Sequence, residues 1–350
     1  MDKVRIGFVG TGFMGQCAHL LNYAQLQECQ VTAIAEVRPQ LGRQVAARYG
    51  VERVYENHAE MLEREELDGI VAAQPFWRHG VLLPDLFEAG VPVFTEKPLT
   101  WSVEAGEGIL KALQHSKSRH FLGYHKRSDP ASLCARREIE RLKESGELGP
   151  MRYVRILMPA GDFVAGGGSP YLSTDEPQPE GPQDPLPADM DEATQREYNG
   201  FVNYYIHQVN LMRYLLGEDY RIDYVDPSGV LLAIQSASGI AGTIEMSPYR
   251  TSVDWQEEAL IAFERGYVKL ELPAPLASNR PGKVTFFRDP GEGAVPETVV
   301  PQLPWVHAMK QQALHFVQAV QGEAVPLSEA EEALEDLRVA RDYIRMLKGR

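Results

Sequence analysis

The sequence predicts an α/β protein, with a doubly wound parallel sheet in its N-terminal part and a second α/β domain carrying a mostly antiparallel sheet. Three observations lead there. From Val4 to about residue 125, apolar runs of strand length alternate with helical patterns. The first run, Val4 to Val9, enters Gly10-Thr11-Gly12-Phe13-Met14-Gly15 and then a helical pattern. From Met151 the rhythm changes to strand-like segments broken by Gly and Pro.

The glycine run has the spacing of a nucleotide cradle. Gly10 permits a tight turn, Gly12 lets backbone N–H groups approach a pyrophosphate, and Gly15 lets helix and strand pack closely. The following helix points its positive end at the phosphates. Thr11, Phe13 and Met14 complete the loop. The next apolar run, Val31 to Ala35, ends in Glu36, 21 residues past Gly15. That is close to the ~20 expected of an acid that binds the adenosine ribose. A carboxylate there repels a 2′-phosphate and favours NAD. Arg38 leaves NADP open, because an arginine can stack on adenine or neutralise that phosphate.

The remaining elements follow in order. Helices are expected over Pro39 to Tyr49, His58 to Glu65, His79 to Ala89 and, capped by Ser102, to about Ser116. The strands between them are Val51 to Tyr55, Leu67 to Pro75, Val91 to Thr95 and His120 to Tyr124. Asp129-Pro130 opens a further helix as an N-cap followed by proline should. Residues 1–124 thus form one expected domain and 125–350 another. Residues 159–200, with a Gly triplet followed by six prolines among acidic residues, are expected to hold no regular element. A loop of that length is a lid, an oligomer-contacting arm or a solvated segment. A helix over Phe201 to Leu216, strands between Arg221 and Asp289, and helices over Trp305 to Val320 and Ser328 to Leu347 complete the chain.

At 350 residues the chain suits two domains, and 44% apolar residues supply a buried interior. The net charge of −14 argues against nucleic acid or an anionic membrane as partner. Cys17, Cys29 and Cys134 have no metal-ligand spacing and are expected to be reduced, and no metal is expected. A strand begins within three residues of Met1 and no apolar run reaches the length of a membrane span, so a cytoplasmic protein is expected.

Two constellations could carry chemistry. Glu96-Lys97-Pro98 ends the fifth strand, at the sheet edge where ligands bind. Lys97 there could bond a substrate hydroxyl, lower the pKa of a neighbouring base, or simply pair with Glu96. Further on, Asn203, His207, Asn210 and Tyr214 fall on one helix face. His207 is either a site residue or a buried histidine satisfied by a neighbour.

With Gln74-Pro75-Phe76-Trp77-Arg78-His79 and Arg213-Tyr214-Leu215-Leu216-Gly217 added, these segments resemble, in order and over almost the whole chain, the family of glucose-fructose oxidoreductase, inositol dehydrogenase and MocA. The resemblance implies a Rossmann domain and a second α/β domain whose large open sheet often forms a homodimer or homotetramer interface. It implies NAD(P)-dependent hydride transfer at a secondary alcohol of a sugar, glycoside or cyclitol. Lys97 matches the lysine that touches the reacting hydroxyl, and Pro98 the proline that often follows a cis peptide. His207 matches the acid/base histidine. Gln74, Pro75, Trp77, His79, Glu96 and Lys97 join the glycine loop, Glu36 and Arg38 as cofactor contacts. Tyr124, Arg127, Asn203 and Tyr204 join Lys97 and His207 on the substrate side, where Tyr124, Lys126 and Arg127 read a charged group or solvate a loop.

The family commonly has Asp where this chain has Asn203 and Asn210, so His207 is expected to be less basic, with Tyr204 and Tyr124 as substitutes for it. Two other readings remain. One is a redox-neutral sugar-modifying enzyme that keeps its nicotinamide bound, and the other is a non-catalytic sugar or dinucleotide sensor.

Overall fold

A computed structural model describes residues 2–246, 249–291 and 293–349. The chain divides into two compact units. The first comprises Met1–Tyr124, Gly166–Asn203 and Met309–Leu337, and the second His125–Ala165, Tyr204–Ala308 and Arg338–Arg350. This division is not the contiguous 1–124 and 125–350 split expected from sequence. Two later segments return to the first unit because their contacts lie there. Phe316, wholly buried, packs its ring 5.6 Å from that of Phe94 and 6.1 Å from that of Phe121.

The first unit carries a seven-stranded sheet. Its strands are β1 Val4–Val9, β2 Cys29–Ala35, β3 Arg53–Tyr55, β4 Gly69–Ala72, β5 Val93–Thr95, β6 His120–Leu122 and, from the end of the chain, β15 Ser328–Glu329. They lie in the order β15-β6-β5-β4-β1-β2-β3. All pairs are parallel except β15 with β6. Strand order reverses between β1 and β4, which places the switch point beside the glycine loop. β4, β5 and β6 are buried at every residue, and the two polar side chains among them, Thr95 and His120, bond each other at 2.9 Å.

Local signals set several boundaries as expected. Helix Pro39–Tyr49 starts on proline and ends at Gly50, which is left-handed with φ +68°. Ser102 accepts from the Ala105 N–H, and Asp129 from that of Ala131 ahead of Pro130.

Other boundaries differ. The helix expected over Phe201 to Leu216 is two helices, Glu192–Tyr204 and Ile206–Leu216, broken at Tyr205. Regular structure therefore begins inside the 159–200 stretch, where the Asp191 carboxylate accepts from the Thr194 N–H and helix-forming residues follow. Ser328 starts not a helix but edge strand β15, and the last helix runs Ala330–Leu347.

The second unit carries an eight-stranded sheet. Its strands are β7 Met151–Leu157, β8 Tyr220–Val225, β9 Leu231–Ser236, β10 Ala241–Glu245, β11 Glu258–Phe263, β12 Gly266–Glu271, β13 Lys283–Arg288 and β14 Glu297–Val299. They lie in the order β14-β13-β12-β11-β7-β10-β9-β8. Among the described residues only β7 with β10 is parallel. β9, β10 and β11 alternate buried and more open residues, as a sheet packed hard on one face must. Among the described residues no helix is long and apolar enough to cross a membrane.

Candidate active site

The glycine loop has the shape a dinucleotide requires. Gly10 turns at φ +92°, and a Cβ there would run into the Gln74 amide and lie 2.8 Å from the Ala73 carbonyl oxygen. At Gly15 a Cβ would lie 2.9 Å from the Gly10 carbonyl oxygen, so helix and strand touch backbone to backbone. A Cβ on Gly12 would meet no described protein atom within 4 Å. The backbone of Gly12 is therefore open to a phosphate, and the Gly15–Leu20 turns behind it are wound as a π-helix.

Glu36 leaves β2 beneath this loop and is 2% exposed. Its Oε2 accepts from Thr11 N at 2.8 Å and Thr11 Oγ1 at 2.7 Å. Its Oε1 accepts from Arg38 Nε at 2.7 Å and Arg38 N at 3.2 Å. Burial works against the charge, but these bonds outweigh it and hold the carboxyl below its ordinary range. An anionic acid at the end of β2 beside open glycine backbone fits the adenosine and pyrophosphate of NAD.

At the end of β5 the carboxylate of Glu96 turns to a partner from the glycine-loop helix. Glu96 gives Oε1 to His19 Nε2 at 2.7 Å and Oε2 to the backbone N–H of Lys97 at 3.2 Å. The Glu96 and His19 side chains are both buried, and the His19 bond keeps Glu96 ionised against its desolvation. The Lys97 ammonium donates to the Asn203 carbonyl oxygen at 2.6 Å. The Lys97-Pro98 peptide is cis. Sequence reading missed His19. Its only signal was its place on the helix that the glycine loop opens.

His79 is wholly buried rather than presented to a ligand. Its Nδ1 lies 2.9 Å from the Leu99 carbonyl oxygen and its Nε2 3.3 Å from that of Gln74, and burial lowers its pKa. It braces the Gln74-Pro75 turn against the segment after Lys97. Trp77 stacks on Trp101, with ring centroids 6.2 Å apart.

Residues 166–190, expected to be part of a lid, an oligomer-contacting arm or a solvated loop, form a strap along the first unit. The Tyr171 ring packs on Phe13 at 5.5 Å, and Arg48 donates to the Pro170 carbonyl. Leu172 exchanges two hydrogen bonds with Gln16. Glu176 accepts from the N–H groups of Gln40 and Leu41, each at 2.9 Å. Farther along, Asp184 accepts from the N–H groups of Gly80 and Val81 and from the Thr100 hydroxyl.

In the second unit His207 lies edge-on to His125, ring centroids 4.7 Å apart. Next to it in sequence, Gln208 donates to Glu257 at 2.8 Å, and Lys126 pairs with the same carboxylate. The Tyr204 hydroxyl accepts from Gly161 N at 3.1 Å. Arg127, expected to face a substrate or solvent, is 6% exposed. It donates to Asn210 Oδ1 at 2.8 Å and lies over the Tyr214 ring. Tyr124 is 2% exposed in the first unit. Lys126 and Arg127 are therefore interior ion-pair and packing residues rather than solvated loop charges.

The fold and the glycine loop define a dinucleotide-binding Rossmann unit. Residues 4–124 match the model of the oxidoreductase family with an NAD-binding Rossmann fold, that of glucose-fructose oxidoreductase, inositol dehydrogenase and MocA. It is 25% identical over 266 residues to the scyllo-inositol 2-dehydrogenase (NAD(+)) of Bacillus subtilis (strain 168), an alignment spanning 71% of this chain and 68% of that protein. A solved structure described as an NADPH-dependent oxidoreductase from Desulfitobacterium hafniense DCB-2 superposes with a TM-score of 0.77 at 11% identity, over 99% of this chain and 96% of that one. Levoglucosan dehydrogenase, solved with NADH and levoglucosan, superposes with a TM-score of 0.73 at 17% identity, over 99% and 98%. At these identities the two solved structures show the fold alone.

Proposed function

We propose that this protein is an NAD-dependent dehydrogenase of a secondary alcohol on a cyclitol or sugar. The observation that carries the reading is the Lys97 ammonium at the carboxyl end of β5, on the ligand edge of the sheet, bonded to a backbone carbonyl while Glu96 bonds His19. A cation that rests on a neutral carbonyl can exchange it for a substrate oxygen. The similarity to an inositol dehydrogenase supports a polyhydroxylated neutral substrate.

The glycine loop and Glu36 would hold the dinucleotide, and bound NAD supplies the hydride acceptor. Lys97 would exchange its Asn203 carbonyl for the reacting hydroxyl and stabilise oxyanion character as the C–H bond breaks. His207 Nε2 or Nδ1 would take the hydroxyl proton, a step worth about 10² to 10⁴ in rate. The adjacent His125 ring is a second imidazole through which the proton could leave.

The test is a panel of inositols, anhydrosugars and aldoses with NAD, followed by the absorbance of reduced nicotinamide. Turnover of at least one cyclitol or sugar is expected. Firm NAD binding with no turnover across the panel would overturn the reading.

A further inference from the structure

The carboxyl end of β2 has two places for negative charge. Glu36 occupies the one facing the ribose, where a 2′-hydroxyl would bond it. A phosphate on that hydroxyl would reach past Glu36 toward the first turn of helix Pro39–Tyr49, whose open N–H groups and dipole attract an anion. In this chain that turn is already taken. Glu176, arriving on the strap 135 residues later, accepts from Leu41 N at 2.9 Å. It accepts also from Gln40 N at 2.9 Å, and the Thr174 hydroxyl fixes its Oε2 at 3.0 Å. The cation that would otherwise greet a phosphate is taken as well, since Arg38 Nε is bonded to Glu36 Oε1 at 2.7 Å.

We propose that Glu176 is a specificity residue that excludes NADP by filling, with its own carboxylate, the anion position at the start of helix Pro39–Tyr49. The proposal rests on reading the glycine loop as the nucleotide site, and it adds to Glu36 a second carboxylate from a distant segment. Glu36 bonds the diol of NAD. Glu176 acts only against the additional phosphate, by occupying its hydrogen-bond donors and opposing its charge of about −2. The Tyr171 ring against Phe13 and the Gln16–Leu172 bonds hold the strap in place, so the carboxylate is delivered by a fixed element.

The experiment is calorimetric titration of the full-length protein with NAD and with NADP in the absence of substrate. Wild type is compared with Glu176→Gln, Glu176→Ala and a control on the same strap, Glu180→Gln. The ratio of the NADP to the NAD dissociation constant is expected to fall at least tenfold in both Glu176 variants and by less than threefold in the control. Circular dichroism melting verifies that each variant is folded, and the neutral amide introduced by Glu176→Gln keeps one acceptor for the helix start. A ratio that moves less than threefold in both Glu176 variants would overturn the assignment, as would an equal fall in the Glu180→Gln control, which would reduce the effect to net charge. If wild type binds neither nucleotide, the reading of the glycine loop fails together with it. If NAD binds and the ratio stays put, only the role of Glu176 fails.

Discussion

Gln16 and Leu172, 156 positions apart, pair like two strand residues: the Gln16 amide accepts from Leu172 N at 2.9 Å and donates to Leu172 O at 3.0 Å. The same amide nitrogen donates to the Thr11 carbonyl at 2.7 Å, so one buried side chain ties the strap to the glycine loop. Gln16→Leu removes all three bonds, with a cost to strap closure of about 1 to 3 kcal/mol. Amide exchange over residues 168–178 should quicken about ten- to a hundredfold while that of β1 and β4 holds. Unchanged exchange over the strap would show that its other anchors suffice.

Gly12 separates folding from binding. A Cβ there meets no described protein atom within 4 Å, so Gly12→Ala should melt within about a degree or two of wild type. The same methyl stands where the pyrophosphate must approach, and NAD affinity should drop by more than about tenfold. A variant that binds NAD normally would move the phosphates off this loop.

His19 keeps Glu96 ionised inside the protein. Glu96 has a folded pKa below its ordinary value, so the stability it contributes is present above the unfolded carboxyl pKa and is lost as pH falls through the folded one. His19→Ala strands a buried carboxylate, and urea unfolding near pH 7 should show a loss of about 3 to 5 kcal/mol. The gap between variant and wild type should narrow near pH 4. A gap that is constant across pH would assign His19 instead to packing against the Phe94 ring, whose centroid lies 5.3 Å from its own.

Asp129 has the opposite sign. Burial, with the Glu257 charge adding to it, raises its carboxyl from 3.8 to about 6. The folded chain holds that proton more tightly than the unfolded one, so the contribution is fully present below about pH 4 and is lost as pH rises through about 6. The span corresponds to about 3 kcal/mol. Asp129→Asn keeps an acceptor for the Ala131 and Gly282 N–H groups. Its melting temperature, relative to wild type, should rise steadily between about pH 4 and pH 6.5. Parallel profiles would mean that Asp129 stays ionised throughout.

For the reaction itself, Lys97→Ala and His207→Ala should each lower kcat by about 10² to 10⁴ with NAD affinity within threefold of wild type. The variants and wild type would be compared on whichever cyclitol or sugar the panel identifies. Full turnover by either would remove that residue from the proposed proton and oxyanion roles.

Much of the first unit could be read from the chain because its signals are local. Strand, Gly10-to-Gly15 turn and helix are adjacent in sequence, and the Glu36 spacing follows from the length of one βαβ step. The same holds for Lys97, placed at a strand end by three consecutive residues. Arg127 shows where such reading stops. Its neighbours suggested a loop charge, yet Asn210 and the Tyr214 ring, more than eighty positions on, take it into the interior. The break at Tyr205 was likewise hidden, since helical periodicity runs straight through it while the Tyr205 hydroxyl bonds the distant Met246 carbonyl.

By itself the sequence determined the parallel sheet, its glycine turn and the acid and lysine at the strand ends, because backbone conformation and burial period are written within windows of a few residues. Only the tertiary structure decided what residues 166–190 do. A stretch rich in proline and acid has no periodicity of its own, and its course is set by partners supplied from elsewhere: the Gln16 amide, the Arg48 guanidinium and two helix starts whose N–H groups take up Glu176 and Asp184.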